Sequence, residues 1–418
     1  MSDPTFPDQS LSVDDVLAAI VARRDRDADW RGGRTFSLVY HPDDPELDRL
    51  HEAVAKEYLH ENALNPFAFP SLTEMEGEVI EWGSGLMNGP GHGRLTSGGT
   101  ESIFLAVQTM RDHARQERGI AEPVLLTAET AHPAFAKACK YLDVEQVRIP
   151  VRADGRADVE AMTAAIDDRT GMVVGSSPCY PYGVIDDIPS LAAAAKDAGT
   201  LCHVDACLGG FLLPFWERIG EDVPPWDFRV DGVTSMSADI HKYGWTFKGA
   251  SLVLYREKSL LAKQFFLYDD WPGGLYGSAT TAGTRAASPI AAAWATIRYL
   301  GEPGYTALAE RLRDTVRRFR DGVAAIDGLA LTHEPDMSLF EFAADPALGD
   351  DAPDIGAVGD VMDDRGWHLD RQQGGLHLML WPFHANVVDQ FLADLRDAVA
   401  QHGESRGVAA SYGGIADT

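Results

Sequence analysis

Between residues 98 and 300 the apolar positions follow two alternating rhythms. Val124–Ala128, Met172–Ser176, Leu201–Val204, Val233–Met236 and Ser251–Tyr255 are short, nearly continuous apolar runs. They read as strands covered on both faces. Thr100–Gly119, Pro133–Leu142 and Ser190–Ala198 carry the 3.6-residue spacing of amphipathic helices. Strands alternating with helices predict an α/β fold: a mostly parallel sheet flanked by helices. From Ser288 the pattern is helical through Tyr299 and again over Tyr305–Ile326. Strands near Leu329–Thr332, Leu339–Ala343 and Leu376–Met379, with a helix at Ala385–Ala400, then predict a smaller α+β domain. Residues 1–75 hold two helical stretches and an Asn-Pro-Phe-Ala-Phe-Pro segment, which reads as an arm. The expected organisation is an N-terminal arm (1–75), a large domain (76–300) and a small C-terminal domain (301–418).

Charge narrows the range of functions. With 36 Lys and Arg against 64 Asp and Glu, the net charge is −28, a field that opposes a phosphate backbone. Nucleic acid is therefore not an expected partner. Apolar runs fall far short of the roughly 18–20 residues that cross a bilayer, so no transmembrane segment is expected. The opening MSDPTFPDQS lacks the basic and apolar stretches of a signal peptide, and a cytoplasmic location is expected. Cys139, Cys179, Cys202 and Cys207 lack metal-ligand spacing and read as reduced thiols, with no metal implied.

Four local features carry chemistry. Ser237-Ala-Asp-Ile-His-Lys-Tyr-Gly244 follows a predicted buried strand. A lysine facing a crevice there suits an amine that forms a Schiff base, because burial lowers its pKa. Lysine is scarce, eight against 28 arginines, so Lys242 and Lys248 look placed. Alone, a His-Lys pair in a loop is more often a solvated surface pair. His203-Val-Asp-Ala-Cys-Leu-Gly-Gly210 puts Asp205 at a strand end, where it either pairs with a protonated pyridine nitrogen or caps the next loop. Thr96-Ser-Gly-Gly-Thr-Glu101 opens a helix whose N–H groups suit a phosphate, although a plain capping turn has the same residues. Ala131-His-Pro offers an imidazole that lies flat on a cofactor ring or stays at the surface. In the order phosphate turn, His, Asp, Lys, each sits just past a strand of one parallel sheet, where α/β folds bind ligands.

That order resembles the fold-type I pyridoxal-phosphate enzymes. Ser97-Gly-Gly-Thr-Glu-Ser102, His203-Val-Asp-Ala-Cys-Leu-Gly-Gly-Phe-Leu-Leu-Pro214, the Ser237–Gly244 run and Asp270-Trp-Pro-Gly-Gly-Leu-Tyr-Gly-Ser278 resemble the sphingosine-1-phosphate lyase branch of the group II decarboxylase superfamily. The similarity runs from about Arg31 to Gly414. It implies a cytoplasmic, homodimeric enzyme of sphingolipid metabolism that uses pyridoxal 5′-phosphate. The substrate would be a phosphorylated long-chain 2-amino alcohol, split by retro-aldol into a fatty aldehyde and phosphoethanolamine. Residue by residue it implies Lys242 as the Schiff-base lysine, Asp205 as partner of the pyridine nitrogen and His132 as the stacking ring. Gly99, Thr100 and His241 would contact the cofactor phosphate, with Ser237 also in the cofactor site, and Gly277 and Ser278 would complete the phosphate cup of a neighbouring subunit. Tyr40, Asn65, Lys248 and Tyr412 would line the substrate phosphate or the reacting centre, with Tyr412 also catalytic and a tyrosine near Tyr180–Tyr182 a further candidate for proton handling. The branch pattern Asn-Pro-Leu-His is here Asn65-Pro-Phe-Ala68. Losing that charge-assisted contact costs about 1.5–3 kcal/mol of anion binding. The family's eukaryotic members carry a membrane anchor, for which this sequence offers no candidate. Rival readings are an amino-acid decarboxylase on the same scaffold and a catalytically silent cofactor-binding protein.

Overall fold

The structure, a computed structural model, describes residues 6–401 and 403–411. Its centre is a seven-stranded sheet: β1 (His92–Thr96), β2 (Val124–Ala128), β3 (Glu145–Ile149), β4 (Thr170–Ser176), β5 (Leu201–Asp205), β6 (Ser235–Asp239) and β7 (Ser251–Tyr255), in the order β1-β7-β6-β5-β4-β2-β3. Only β7 runs against its neighbours. Successive side chains of these strands point to opposite faces, and both faces are covered. Leu125, Met172 and Val174 pack with Ile103, Val107 and Phe135 of the helices Gly99–Glu117 and Ala134–Leu142. Leu126, Val173, Val204 and Met236 enter the larger core with Ile188 and Leu191. Continuous apolar runs are what a doubly covered strand requires, and they made these strands readable.

A second, antiparallel sheet has β10 (Leu329–Leu331), β11 (Leu339–Ala344), β12 (Asp370–Arg371) and β13 (Leu376–Met379) in the order β10-β11-β13-β12, while β8 (Phe266–Tyr268) and β9 (Tyr276–Ser278) form a separate hairpin. The two helical stretches expected after Ser288 are one helix, Ser288–Ala324, broken at Gly301, whose φ of 52° leaves the helical region two residues before Pro303. β6 starts at Ser235 and ends at Asp239, so that residue, not Met236, closes the strand. The final helix begins at Val388, behind a tight turn Pro382–Asn386.

The expectation that residues 1–75 form an arm needs correction. The helix Val13–Arg23 buries no residue and fits it. Phe36, by contrast, is fully buried, stacked on His384 (ring centroids 4.6 Å apart) with Phe391 at 4.9 Å and Phe319 at 5.8 Å. Its carbonyl accepts a hydrogen bond from Met379 N at 3.0 Å, adding this segment to the small sheet's core. Local periodicity carries no trace of such a partnership, because every partner lies more than 280 residues away. Phe36→Ala is expected to cost about 3–5 kcal/mol in denaturant unfolding; an unchanged midpoint would place the segment outside the core.

Candidate active site

The carboxyl ends of β5 and β6 lie side by side, with Asp205 paired in register to Ser237. Asp205 Oδ1 accepts the Ser237 hydroxyl and the Cys207 amide, both at 3.1 Å. Since Ser237 donates to the carboxylate, its oxygen accepts from His203 Nε2 at 3.2 Å, which leaves His203 Nδ1 to accept from the Ser235 hydroxyl at 2.9 Å. Burial pushes His203 down to about 4, so this relay orients Asp205 without adding a second charge. His203 and Ser235 stood inside the quoted motif or strand, but only the pleat of β5 against β6 reveals their use.

One turn beyond β6, Lys242 Nζ lies 2.9 Å from Asp239 Oδ2, and His241 Nε2 is 3.8 Å from the same oxygen. Asp239 is almost fully buried, and its Oδ1 has no hydrogen-bond partner among the described residues. Burial raises this carboxyl, yet the Lys242 charge, joined by that of His241 whenever its ring is protonated, outweighs that and holds it below the usual carboxylate range. The sequence alone does not single out Asp239 as a site residue; its spacing of three before Lys242 is the available signal. His241 Nδ1 is 2.7 Å from Ala250 O, so Nδ1 carries the hydrogen and Nε2 faces inward.

The turn itself is tightly held. A Cβ on Gly244 would meet Ile240 O at 2.4 Å, and Trp245 takes a left-handed φ of 62°, unusual for a bulky residue. Tyr305 donates to Gly244 O at 2.9 Å, and Tyr243 donates to Leu380 O at 3.1 Å while accepting from Ser338 at 2.6 Å. Three distant elements therefore fix the backbone that carries Lys242.

Above Asp239 begins the helix Gly99–Glu117, whose first N–H groups have no partners within the helix. A Cβ on Gly99 would lie 2.7 Å from Cys207 Sγ and 2.8 Å from Asp239 Oδ2, so only glycine fits. Glu101 ties the turn together, accepting from Ser97 N at 2.7 Å and Thr281 N at 2.8 Å. Burial raises its carboxyl, but these bonds win and lower it. His132 follows β2. Desolvation first, then the Lys242 charge, pull its imidazole below its ordinary value against the opposing pull of Asp205, so a neutral ring faces the cluster.

Lys248 Nζ lies over the Tyr40 ring, 4.1 Å from its centroid, and Tyr40 packs against Trp381 and Tyr243. Desolvation in the crevice and the neighbouring Lys242 charge pull the Lys248 amine down to about 8, although much of the residue's surface remains exposed. A cleft of about 680 Å³ opens beside His132, lined also by Glu129, Arg148, Tyr180, Tyr182 and Asp370. Tyr180 donates to Asp370, whose other oxygen accepts from Ser37 at 2.8 Å.

Other expected residues sit apart. Asn65 is exposed, its side chain engaged with the amides of Phe67 (3.0 Å) and Ala68 (3.3 Å), in a local turn. Gly277 and Ser278 belong to the β8–β9 hairpin, where Ser278 donates to Thr280 O at 2.9 Å. That hairpin's following loop reaches the helix start through Thr281 and Glu101. Tyr412 lies outside the described residues.

The residues present fit pyridoxal phosphate: a side-chain-free cradle at Gly99, an amine held on a buried carboxylate, a second carboxylate fixed by neutral donors, and a neutral imidazole. Residues 47–345 match the pyridoxal-dependent decarboxylase conserved domain. A sphingosine-1-phosphate lyase of Arabidopsis thaliana is 39% identical over 405 residues, covering 94% of this chain and 73% of the relative. The chain belongs to the sphingosine-1-phosphate lyase branch of the pyridoxal-dependent decarboxylase family. The solved sphingosine-1-phosphate lyase of Burkholderia pseudomallei superposes with a TM-score of 0.89 at 36% identity, covering 95% of this chain and 92% of that one. An L-aspartate/L-glutamate decarboxylase of Pyrococcus horikoshii is 31% identical, covering 94% of this chain and all of the relative. This lyase-branch chain accordingly has the fold-type I architecture, and its cofactor is pyridoxal phosphate. Gly99→Ala is expected to weaken cofactor binding by about tenfold or more, read by absorbance titration of the cofactor-free protein; unchanged affinity would show that Cys207 and Asp239 yield to a Cβ at no cost.

Proposed function

We propose that this protein cleaves the C2–C3 bond of a phosphorylated long-chain 2-amino alcohol of the sphingosine-1-phosphate type, releasing a fatty aldehyde and phosphoethanolamine. The observation that carries this reading is the Lys248 amine seated on Tyr40 beside the Lys242 turn. It offers a cation to an anionic headgroup in a chain 39% identical to a lyase for such a substrate. Bound pyridoxal phosphate supplies the electron sink for the carbanion left when a carbon–carbon bond breaks. Lys242 anchors the cofactor, and Asp205, oriented by Ser237 and the Cys207 amide, holds a proton at the ring nitrogen. His132 presents its neutral face to the ring, while Gly99, Thr100 and His241 hold the phosphate. Asp239, 2.9 Å from Lys242 Nζ, would keep that amine, whenever it is not joined to the cofactor, within reach as acid or base.

Further parts of the reading concern assembly and place. The protein works as a homodimer in which Gly277 and Ser278 complete the partner's phosphate cup, and Asn65 and Tyr412 complete the substrate site. Exposed Phe266, Leu267, Trp271 and Leu275 on the hairpin, with exposed Leu17, Ile20 and Val21 on the helix Val13–Arg23, support this, because a monomer rarely leaves so much apolar surface bare. A cytoplasmic location fits the finding that, among the described residues, no helix is long and apolar enough to cross a membrane.

Two measurements test the function. Mass spectrometry after mixing pyridoxal-phosphate-loaded protein with sphingosine-1-phosphate should reveal phosphoethanolamine and a long-chain aldehyde, and Lys242→Ala should yield neither while losing the visible absorbance of the bound cofactor. Carbon dioxide from an amino acid, with no aldehyde, would turn the assignment to a decarboxylase. Because the Lys248 amine loses its charge as pH rises through about 8, inhibition by inorganic phosphate should weaken across that range. In Lys248→Met the inhibition should be weak at every pH; an unaltered pH profile in that variant would remove Lys248 from the anion site.

A further inference from the structure

We propose that loading the cofactor converts His241 into an imidazolium that donates through Nε2 to the cofactor phosphate, with Asp239, surrendered by Lys242, as its counter-ion. The proposal rests on the reading that Lys242 condenses with the cofactor. Its foundation is tautomeric. His241 Nδ1 is 2.7 Å from a carbonyl oxygen, Ala250 O, and a carbonyl only accepts, so the single hydrogen of a neutral His241 sits on Nδ1. The Nε2 lone pair then faces the site. A lone pair repels a phosphate oxygen, so a phosphate contact through Nε2 requires a second hydrogen on that ring.

The source of the compensating charge is also visible. Asp239 pairs with Lys242 at 2.9 Å and stands 3.8 Å from His241 Nε2. Condensation joins Nζ to the cofactor's aldehyde carbon, releases water, and leaves Nζ with at most one hydrogen, for which the ring's own phenolate oxygen competes. The almost fully buried Asp239 thereby loses its strongest partner, and an unpaired carboxylate at such a site is costly. One proton taken from solvent onto Nε2 satisfies Asp239 and the incoming phosphate together. His241 stands beside both Asp239 and the helix start, with its Nε2 3.8 Å from Asp239 Oδ2 and its Cε1 3.6 Å from where a Cβ on Gly98 would stand.

The surrounding charges are consistent with a switch between the two states. Desolvation holds His241 below its ordinary value, the Asp239 charge pulls the other way, and Lys242 and Lys248 add to the depression. Glu101, the first carboxylate of the helix above, is committed to Ser97 and Thr281. Cys207 is held well above the usual thiol range by burial and by Asp205, and stays an uncharged thiol. Moving Lys242 off Asp239 removes one depressing influence and strengthens the raising one.

Titration of histidine labelled with ¹³C at Cε1, followed by NMR with the His241 signal identified by its loss in His241→Gln, tests the proposal. His241 should be neutral at pH 7.5 without cofactor and protonated with pyridoxal 5′-phosphate, a rise of about one pH unit or more. 5′-Deoxypyridoxal, which consumes Lys242 but brings no phosphate, should give a smaller rise. Asp239→Asn should abolish the rise. Lys242→Met without cofactor should raise His241 on its own, and covers the case in which Asp239→Asn fails to fold. A His241 signal that titrates identically with and without cofactor overturns the proposal, as does a full rise that persists in Asp239→Asn. Failure of the underlying reading is separately visible: the cofactor's absorbance band would survive in Lys242→Met.

Discussion

The contact between Asp239 and Lys242 constrains the rest of this site. A buried ion pair recovers the cost of desolvating two charges only with good geometry, and removing one partner from such a pair costs several kcal/mol. The protein therefore invests in geometry. Gly99 is bare so that a helix start can approach Asp239, Gly244 is bare so that the turn can fold onto Ile240, and Trp245 takes a conformation that only tight surroundings sustain. The Tyr305 hydroxyl from the long helix and the Ser338 hydroxyl just before β11, with the turn's own Tyr243 reaching Leu380 O just after β13, secure the same turn. The small sheet is thus part of the site's support, and Phe36, far away in sequence, packs into the core of that same sheet.

The topology supplies the neighbours. Parallel strands β5 and β6, joined by a crossover through the helix Leu213–Arg218, deliver Asp205 and Asp239 to one end of the sheet. The reversed strand β7 then brings Ala250 back to Asp239's level, where Ser251 pairs with Asp239 in register and Ala250 O receives the His241 ring. Had β7 been parallel, its start would lie at the opposite end of the sheet and Lys248, just before it, would be remote from Tyr40. One antiparallel strand in a parallel sheet therefore sets both the tautomer of His241 and the position of the second lysine.

Much of this was legible because the signals are local. Doubly covered strands announce themselves as apolar runs, and Lys242, Asp205, His132 and Gly99 stand at their ends in a family-specific order. Asp239 and His203 occupied the same quoted words and were passed over, since an Asp before a turn and a His within a strand have ordinary local uses. Only the pairing of β5 with β6, and the turn after β6, convert them into a partner for Lys242 and a support for Asp205. Glu101 sits in what the sequence presents as a capping turn, yet its second oxygen holds Thr281, 180 residues away. The β8–β9 hairpin escaped notice for the opposite reason: its strands bury no residue of β8, so the alternation that marks a half-covered strand is missing.

The net charge of −28 and the anion-binding cluster are reconciled by distance. Fields from charges spread over a surface are largely screened beyond about 8–10 Å at physiological ionic strength, whereas Lys242, Lys248 and a protonated His241 act across a few ångströms. An anionic ligand is thus opposed on approach and favoured on arrival, so what holds it is the local arrangement, not the protein's overall sign. The same arrangement explains the scarcity of lysine: with eight in the chain, two of them six residues apart on one turn and strand entry concentrate positive charge where the carboxylates of β5 and β6 would otherwise dominate. Asp239 then has a dual electrostatic task, neutralising one cation while the site is empty and another when it is filled, and a carboxylate serves both because its partners change places around it.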